Sequence, residues 1–174
     1  GEATSPAIIP IKNTPPKAPA FCCWLSKDSF VCNELGSCKV ELFTPKKDYD
    51  DLNNYSTLVK ITDGENSFLI TGDCETTEEK DILSQGYDVS AKVLKAGHHG
   101  SSTSTTNKFL TATSPAIAIV SCGKDNDYGH PHKETMNKLN NDHITVYRTD
   151  SDGTILAETD GNTYAITTNL KSVS

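Results

Sequence analysis

The feature that most constrains this chain is residues 116–120, a run of five apolar side chains without a polar one. A strand of this composition is typically buried on both faces, as in the parallel sheets of α/β proteins. Other elements must then cover it from both sides, so a layered fold is expected. With 174 residues, 35% of them hydrophobic, the chain can build one such core but not two. The sequence therefore predicts one α/β domain.

Composition excludes several classes of protein. No apolar run approaches the roughly 18 residues of a membrane span, no repeat recurs at a fixed period, and 22% of residues are charged. The net charge is −7, and residues 1–90 hold 15 acidic residues against eight Lys. Residues 91–174 carry eight charges of each sign and all five His. No basic surface typical of nucleic-acid binding is indicated, but the neutral second half repels an anionic substrate least.

Proline and glycine divide the chain into short segments. Residues 1–20 contain five of the eight Pro and are predicted to form an extended arm before a domain over residues 21–174. Three helices are predicted: one from a capping box at Thr76 and Glu79 to near Gly86, one over 106–112, and one over 131–140 with Pro131 first. The predicted strands are 21–25, 28–33, 38–43, 55–62, 67–71, 91–95, 116–120, 144–148, 154–158 and 163–167. This order indicates a mixed rather than an all-parallel sheet.

The cysteines give an indication of the cellular compartment in which the protein is found. Four of six lie at Cys22, Cys23, Cys32 and Cys38, which indicates either a disulfide-permissive compartment or a small metal site. Paired C-x2-C units and a nearby His are lacking, so a Cys32–Cys38 disulfide is favoured over structural zinc, with buried thiols as the alternative. An extracytoplasmic or secreted location is expected on this ground. Gly1 in place of an initiator Met suggests that an upstream segment has been removed.

Side chains of metal-ligand type follow the carboxyl ends of three predicted strands. They are Asp73 after 67–71, His98 and His99 after 91–95, and His130 with His132 after 116–120 and the loop 121–129. Because ligands of open α/β sheets bind outside the carboxyl ends of the strands, these loops are expected to converge. Imidazole nitrogen and carboxylate oxygen suit Zn²⁺ or Mn²⁺, and one carboxylate can bridge two ions. Each feature alone is typical of a turn, so the prediction depends on their joint occurrence.

Motifs in these loops follow a fixed order. They read Thr-Gly-Asp at 71–73, His-His-Gly-Ser at 98–101, Tyr-Gly-His-Pro at 128–131 and Tyr-Arg-Thr-Asp at 147–150. Over roughly residues 36–160 the chain resembles the metallo-β-lactamase-like domain of ComEC-type competence proteins, and the secreted phosphorylcholine esterases of the same superfamily. The resemblance implies a metallo-β-lactamase-like αβ/βα sandwich, of which the chain carries the second half and part of the first sheet.

The resemblance also implies roles for individual residues. Asp73 would be the carboxylate that bridges two divalent ions, zinc or manganese, with His99 a ligand of one ion and His130 of the other. Asp73 and His98 would act in catalysis, and His98 and His99 could exchange roles. The candidate substrate contacts are His98, Ser101 and His132.

One departure from the superfamily is large. Its H-x-H-x-D-H motif is absent, because no His precedes His98. Either the chain omits the first half of the fold, or it is a degenerate homologue that has lost that half. Gly1 and the proline-rich first residues favour the first alternative. The complete form is expected to be a metal-dependent hydrolase of phosphodiester or related ester bonds, acting on nucleic acid in DNA uptake or on a cell-surface polymer.

This chain alone is expected to be inactive, because half the metal ligands would be missing. The rival hypothesis is a non-catalytic binding or structural module with a degenerate metal site. A half-sandwich should also leave a large apolar face exposed. The expected partners are therefore the substrate, the missing N-terminal half, and a second copy or a crystal neighbour on that face.

Overall fold

The computed structural model describes residues 22–25, 30–35 and 37–168, with the backbone alone for the first two ranges. The predicted arm over residues 1–20 lies outside the described residues. So does the side chain of Cys32, and the Cys32–Cys38 disulfide stays a prediction. In the backbone register, Cys32 lies opposite Cys23 on one side and Val40 on the other.

Strands and helices alternate through the second half of the described chain. The strands are β1 (Cys22–Leu25), β2 (Phe30–Leu35), β3 (Cys38–Phe43), β4 (Leu58–Asp63), β5 (Asn66–Ile70), β6 (Val93–Lys95), β7 (Ile117–Val120), β8 (Thr145–Arg148), β9 (Leu156–Thr159) and β10 (Tyr164–Thr167). The helices are α1 (Thr76–Ser84), α2 (Asn107–Thr113), α3 (Lys133–Asn141) and the single turn α4 (Thr149–Asp152). Short 3₁₀ segments occupy Leu52–Tyr55 and Gly97–Gly100.

The main sheet contains β1 to β8 in chain order. Strands β1 to β5 pair antiparallel, whereas β5 to β8 pair parallel. The parallel pairs need crossovers, which α1, α2 and α3 supply. Strands β9 and β10 form a separate antiparallel hairpin. The predicted mixed α/β architecture is confirmed.

Two hydrophobic clusters cover the two faces of the sheet. Ala118 and Val120 of β7 belong to the cluster that packs under the helices, with side chains such as Ile82, Phe109 and Leu139. The alternate residues of β7 belong to the second cluster, to which the β9–β10 hairpin contributes. All four residues of β7 are buried, so the predicted burial on both faces is confirmed for 117–120, whereas Ala116 precedes the strand and is exposed.

The β9–β10 hairpin covers part of the sheet face that was expected to be exposed. It packs on the parallel part of the sheet and leaves a half-buried strip on the antiparallel part. Pairing of Val40 with Ile61, Leu42 with Val59, and Val59 with Ile70 places these five side chains on one face. This aliphatic strip is smaller and less exposed than a whole uncovered face, because residues near the carboxyl end of the chain fold back over the sheet.

Two helix starts differ from the prediction. Glu75 rather than Thr76 precedes α1, and the carboxylate of Glu79 accepts N–H groups of a distant loop instead of closing a capping box. Pro131 follows a cis peptide bond and lies outside α3, which begins at Lys133. In the first case a tertiary contact takes the carboxylate that the local pattern assigned to the helix start. In the described ranges, none of the helices has the length and apolar character needed to cross a membrane.

Candidate metal site

Three strand-end loops meet at one edge of the sheet. Because β5, β6 and β7 are parallel neighbours, their carboxyl ends share that edge. The backbone N–H of His98 donates to the carbonyl of Gly72 at 3.1 Å, and the N–H of His132 donates to the carbonyl of Gly100 at 3.0 Å. The loop after β6 is thus hydrogen-bonded to both of the others.

Glycine permits this close approach at two positions. A Cβ at Gly97 would lie 2.9 Å from the carbonyl oxygen of Cys74. A Cβ at Gly100 would lie 2.6 Å from the Cβ of Pro131. Since real Cβ atoms do not come this near, larger residues here would push the loops apart.

The structure brings together Asp73, His98, His99 and His130, here called the strand-end cluster. The Nε2 atom of His99 lies 3.5 Å from a carboxylate oxygen of Asp73. The ring of His130 lies 5.5 Å from that of His98 and 6.4 Å from that of His99, centroid to centroid. The fifth histidine, His143, makes no ring contact with these side chains within the described part of the chain.

Two hydrogen bonds fix the tautomers of adjacent histidines. The Nδ1–H of His98 donates to the carboxylate of Glu75 at 3.1 Å, and the Nδ1–H of His99 donates to the carbonyl of Ser121 at 2.7 Å. An oxygen that can only accept requires a proton on Nδ1, so the neutral form of each ring has its lone pair on Nε2. This is the arrangement by which proteins orient metal-binding or proton-accepting imidazoles.

Glu75 is a residue that sequence reasoning missed. Besides His98, its carboxylate accepts a hydrogen bond from the hydroxyl of Thr103 at 2.7 Å and one from the amide of Asn54 at 3.4 Å. It therefore joins the loop after β5 to the loop after β6. Its place two residues after Asp73 was the available indication, but the capping-box pattern assigned the segment to a helix start.

The histidine pair has an unusual backbone. His98 and His99 have φ values of 44° and 54°, in the left-handed region that non-glycine residues seldom adopt. Two consecutive residues in this region cost on the order of 1–3 kcal/mol each, and such conformations concentrate at functional sites. The strained turn directs the two rings from one short segment toward different neighbours, Glu75 and Ser121.

His130 is kept neutral. Burial, and then the neighbouring imidazoles of His132, His98 and His99, lower the pKa of His130, while Asp73 opposes the shift. Among residues 37–168 its ring has aromatic neighbours but no hydrogen-bonding partner. A neutral imidazole with an available lone pair is the form that binds a metal ion.

Two candidate substrate contacts are engaged within the protein. His132 accepts the backbone N–H of Ser102 on Nδ1 at 2.9 Å, so its Nε2–H donates to the carbonyl of Tyr128 at 3.2 Å. Ser101 is 4% exposed, and its hydroxyl lies 2.9 Å from that of Thr103. In this structure both side chains hold loops together.

Of the two lysines that flank β6, only Lys95 lies near the site. Lys92 precedes β6, and its Nζ donates to Asn66, where β5 begins. It therefore lies at the opposite edge of the sheet. Lys95 ends β6 near Asp73, and burial lowers the pKa of its ammonium group while Asp73 opposes the shift.

The donor atoms of the strand-end cluster fit a divalent metal by type. They are imidazole nitrogens with fixed tautomers, a neutral imidazole and a half-exposed carboxylate, which suit Zn²⁺ or Mn²⁺. Within residues 37–168, however, no three His, Cys, Asp or Glu side chains are arranged to hold one ion. Zinc sites use at least three protein ligands, so the fit is one of donor chemistry and not of a complete set.

Known proteins resemble parts of this chain. No family profile matches it. It is 41% identical over 103 residues to ComE operon protein 3 of Bacillus subtilis (strain 168), covering 59% of this chain and 13% of that protein. It is 36% identical over 111 residues to Competence protein ComA of Neisseria gonorrhoeae, covering 63% of this chain and 16% of that protein. It is 39% identical over 87 residues to Recombination protein 2 of Haemophilus influenzae, covering 50% of this chain and 11% of that protein. The chain spans less than a fifth of each relative, and the expected likeness to competence proteins is confirmed.

Proposed function

We propose that the strand-end cluster is part of a metal-dependent site for the hydrolysis of phosphodiester bonds, and that its substrate is DNA taken up by the cell. The observation that carries the proposal is the pair of fixed tautomers in a strained turn beside Asp73 and neutral His130. Similarity to proteins named for competence and recombination supports DNA over a choline-bearing polymer. The mixed sheet, with helices on one face and a hairpin on the other, is proposed to belong to a metallo-β-lactamase-like sandwich.

Each member of the cluster has a role in this proposal. Asp73, His99 and His130 would hold two divalent ions together with donors that the described residues do not supply. A divalent ion would supply Lewis-acid stabilisation of the charge that develops on the phosphoryl oxygens. His98 would accept or deliver a proton at Nε2, because Glu75 holds its Nδ1–H and keeps Nε2 as the exchanging atom.

Partners and location are part of the proposal. The aliphatic strip on β3, β4 and β5 would pack against the part of the domain that carries the missing ligands, since its side chains are only half-buried. An extracytoplasmic location is proposed because DNA uptake begins outside the cell. This chain alone is expected to bind metal weakly and to hydrolyse nothing at a useful rate.

Metal binding gives the first test. Isothermal titration with Mn²⁺ or Zn²⁺ should detect weak binding by this chain, and Asp73→Ala or His99→Ala should abolish it. His143→Ala is the matched control, because His143 is exposed and lies outside the strand-end cluster. Binding that survives Asp73→Ala and His99→Ala but is lost in His143→Ala would refute the assignment.

Hydrolysis gives the second test. Turnover of bis-p-nitrophenyl phosphate with added metal is compared between this chain and a longer form of the protein that contains an H-x-H-x-D-H segment. Metal-dependent turnover confined to the longer form, and lost with Asp73→Ala, is the expected result. Equal turnover by both would show that the other ligands are dispensable. No turnover by the longer form would favour a non-catalytic module.

A further inference from the structure

Tyr128 is an aromatic side chain whose position the fold does not explain. The residue is 78% exposed, and it belongs to neither hydrophobic cluster. The other exposed tyrosine of residues 37–168, Tyr55, uses its hydroxyl to accept the N–H of Tyr49 at 2.8 Å and packs edge-on against that ring. Tyr128 has no such hydrogen bond through its hydroxyl within the same range.

The backbone that carries Tyr128 is nevertheless well held. The side-chain amide of Asn126 donates to the carbonyls of Gly123 and His130, at 2.9 and 2.6 Å, and its oxygen accepts the N–H of His130 at 3.0 Å. The carbonyl of Tyr128 itself accepts the Nε2–H of His132 at 3.2 Å. An exposed ring on a rigid loop binds a ligand with little loss of conformational entropy.

The ring of Tyr128 also lies next to the strand-end cluster. It stacks on the imidazole of His130, with 5.7 Å between centroids and 19° between planes. His130 is in turn 5.5 Å from His98, so Tyr128 lies one ring beyond the strand-end cluster. A ligand that is bound at the cluster and extends in this direction meets a flat aromatic surface.

We infer that Tyr128 is a stacking platform for a nucleobase of a single-stranded substrate whose phosphodiester lies at the strand-end cluster, an inference that rests on the proposed function. Every base has a π-face, so stacking on an aromatic side chain tolerates any sequence. One flat ring stacked parallel on an imidazole suits a planar base. Choline-type cations are instead bound by several rings that surround the charge.

The charges of the surrounding loop favour stacking over ionic contact. Five charged residues flank Tyr128 within six positions, two basic and three acidic: Lys124, Asp125, Asp127, Lys133 and Glu134. They offer no net positive charge to the phosphate backbone. Binding at this position should therefore depend on the base and change little with salt, whereas phosphate contacts would give a steep salt dependence.

The test is a binding measurement on the full chain without added metal. A fluorescein-labelled oligothymidylate and a matched strand of abasic sugar-phosphate units are titrated and followed by fluorescence anisotropy. Tyr128→Ala should weaken binding of the oligothymidylate about tenfold, from the usual cost of losing one base stack, and leave the abasic strand unchanged. Tyr128→Phe should restore binding, because it keeps the ring. Leu52→Ala is the control, since Leu52 is 85% exposed.

Several outcomes would overturn the inference. They are equal affinity of Tyr128→Ala and the unsubstituted chain, an equal loss for the abasic strand, and no binding of oligothymidylate up to millimolar concentration. Phosphorylcholine binding that depends on Tyr128, without the same dependence for the oligonucleotide, would assign the ring to a cation instead. Tyr128-dependent binding with no hydrolysis by the longer form would leave the stacking platform standing and remove the proposed catalytic function.

Discussion

Glu78 carries a carboxyl group inside the core, and its replacement by glutamine is expected to stabilise the protein at neutral and alkaline pH. The side chain is fully buried, and neither carboxyl oxygen has a hydrogen-bond donor within residues 37–168. Burial raises the pKa of Glu78 from 4.5 to about 7; the nearby Cys74 thiol and Ser56 backbone N–H oppose the shift, and the carboxylates of Asp81 and Glu79 add to it. The cause is the free-energy cost of a charge without solvent or partner.

The magnitude follows from the two pKa values. The unfolded chain releases this proton near pH 4.5, while the folded protein holds it until about pH 7. The free energy of unfolding therefore falls as pH rises through this window, and the loss is complete above the folded pKa. At about 1.4 kcal/mol per pKa unit, the penalty is ~3 kcal/mol. Glutamine is neutral at every pH, so the Glu78→Gln variant does not carry this free-energy penalty.

Urea unfolding followed by circular dichroism measures the effect. Glu78→Gln should be more stable than the unsubstituted protein by ~3 kcal/mol at about pH 8, and the difference should shrink toward zero near pH 4.5. Glu65→Gln is the control, because Glu65 is exposed and should change stability by less than about 0.5 kcal/mol at either pH. A difference for Glu78→Gln that is the same at both pH values would refute an ionised, unpaired carboxylate in the fold.

Three further predictions concern other buried groups. Glu79→Ala should lower the free energy of unfolding by about 3 kcal/mol or more in urea titrations, because two loop N–H groups lose a carboxylate acceptor; a loss below about 1 kcal/mol would show that they find other partners. The thiols of Cys74 and Cys122 should react with Ellman's reagent only after unfolding, since burial raises both pKa values, that of Cys122 to about 11. Lys60→Met should reduce stability above about pH 4 and less as pH falls toward 2, because the hydrogen bond from Lys60 lowers the pKa of Asp88 to about 2; a pH-independent loss would contradict this.

The candidate site could be predicted in part from local sequence. Glycine and ligand-type side chains directly after apolar strands indicated Asp73, His98, His99 and His130, because strand ends are local and the edge they share follows from parallel pairing. Glu75 was missed, since its contact with His98 spans 23 positions and leaves no local periodicity.

Hydrophobic alternation and the apolar run at β7 determined by themselves where the strands lie and that the sheet is mixed, because burial of side chains has a period that the sequence displays. Tertiary structure alone decided how polar groups were used. Glu79 accepts loop N–H groups, His132 ties the loops beside Ser102 and Tyr128, and the β9–β10 hairpin covers a face expected to be bare. A hydrogen bond or a packed hairpin depends on which distant segment comes within a few ångströms, and that distance exists only once the chain has folded.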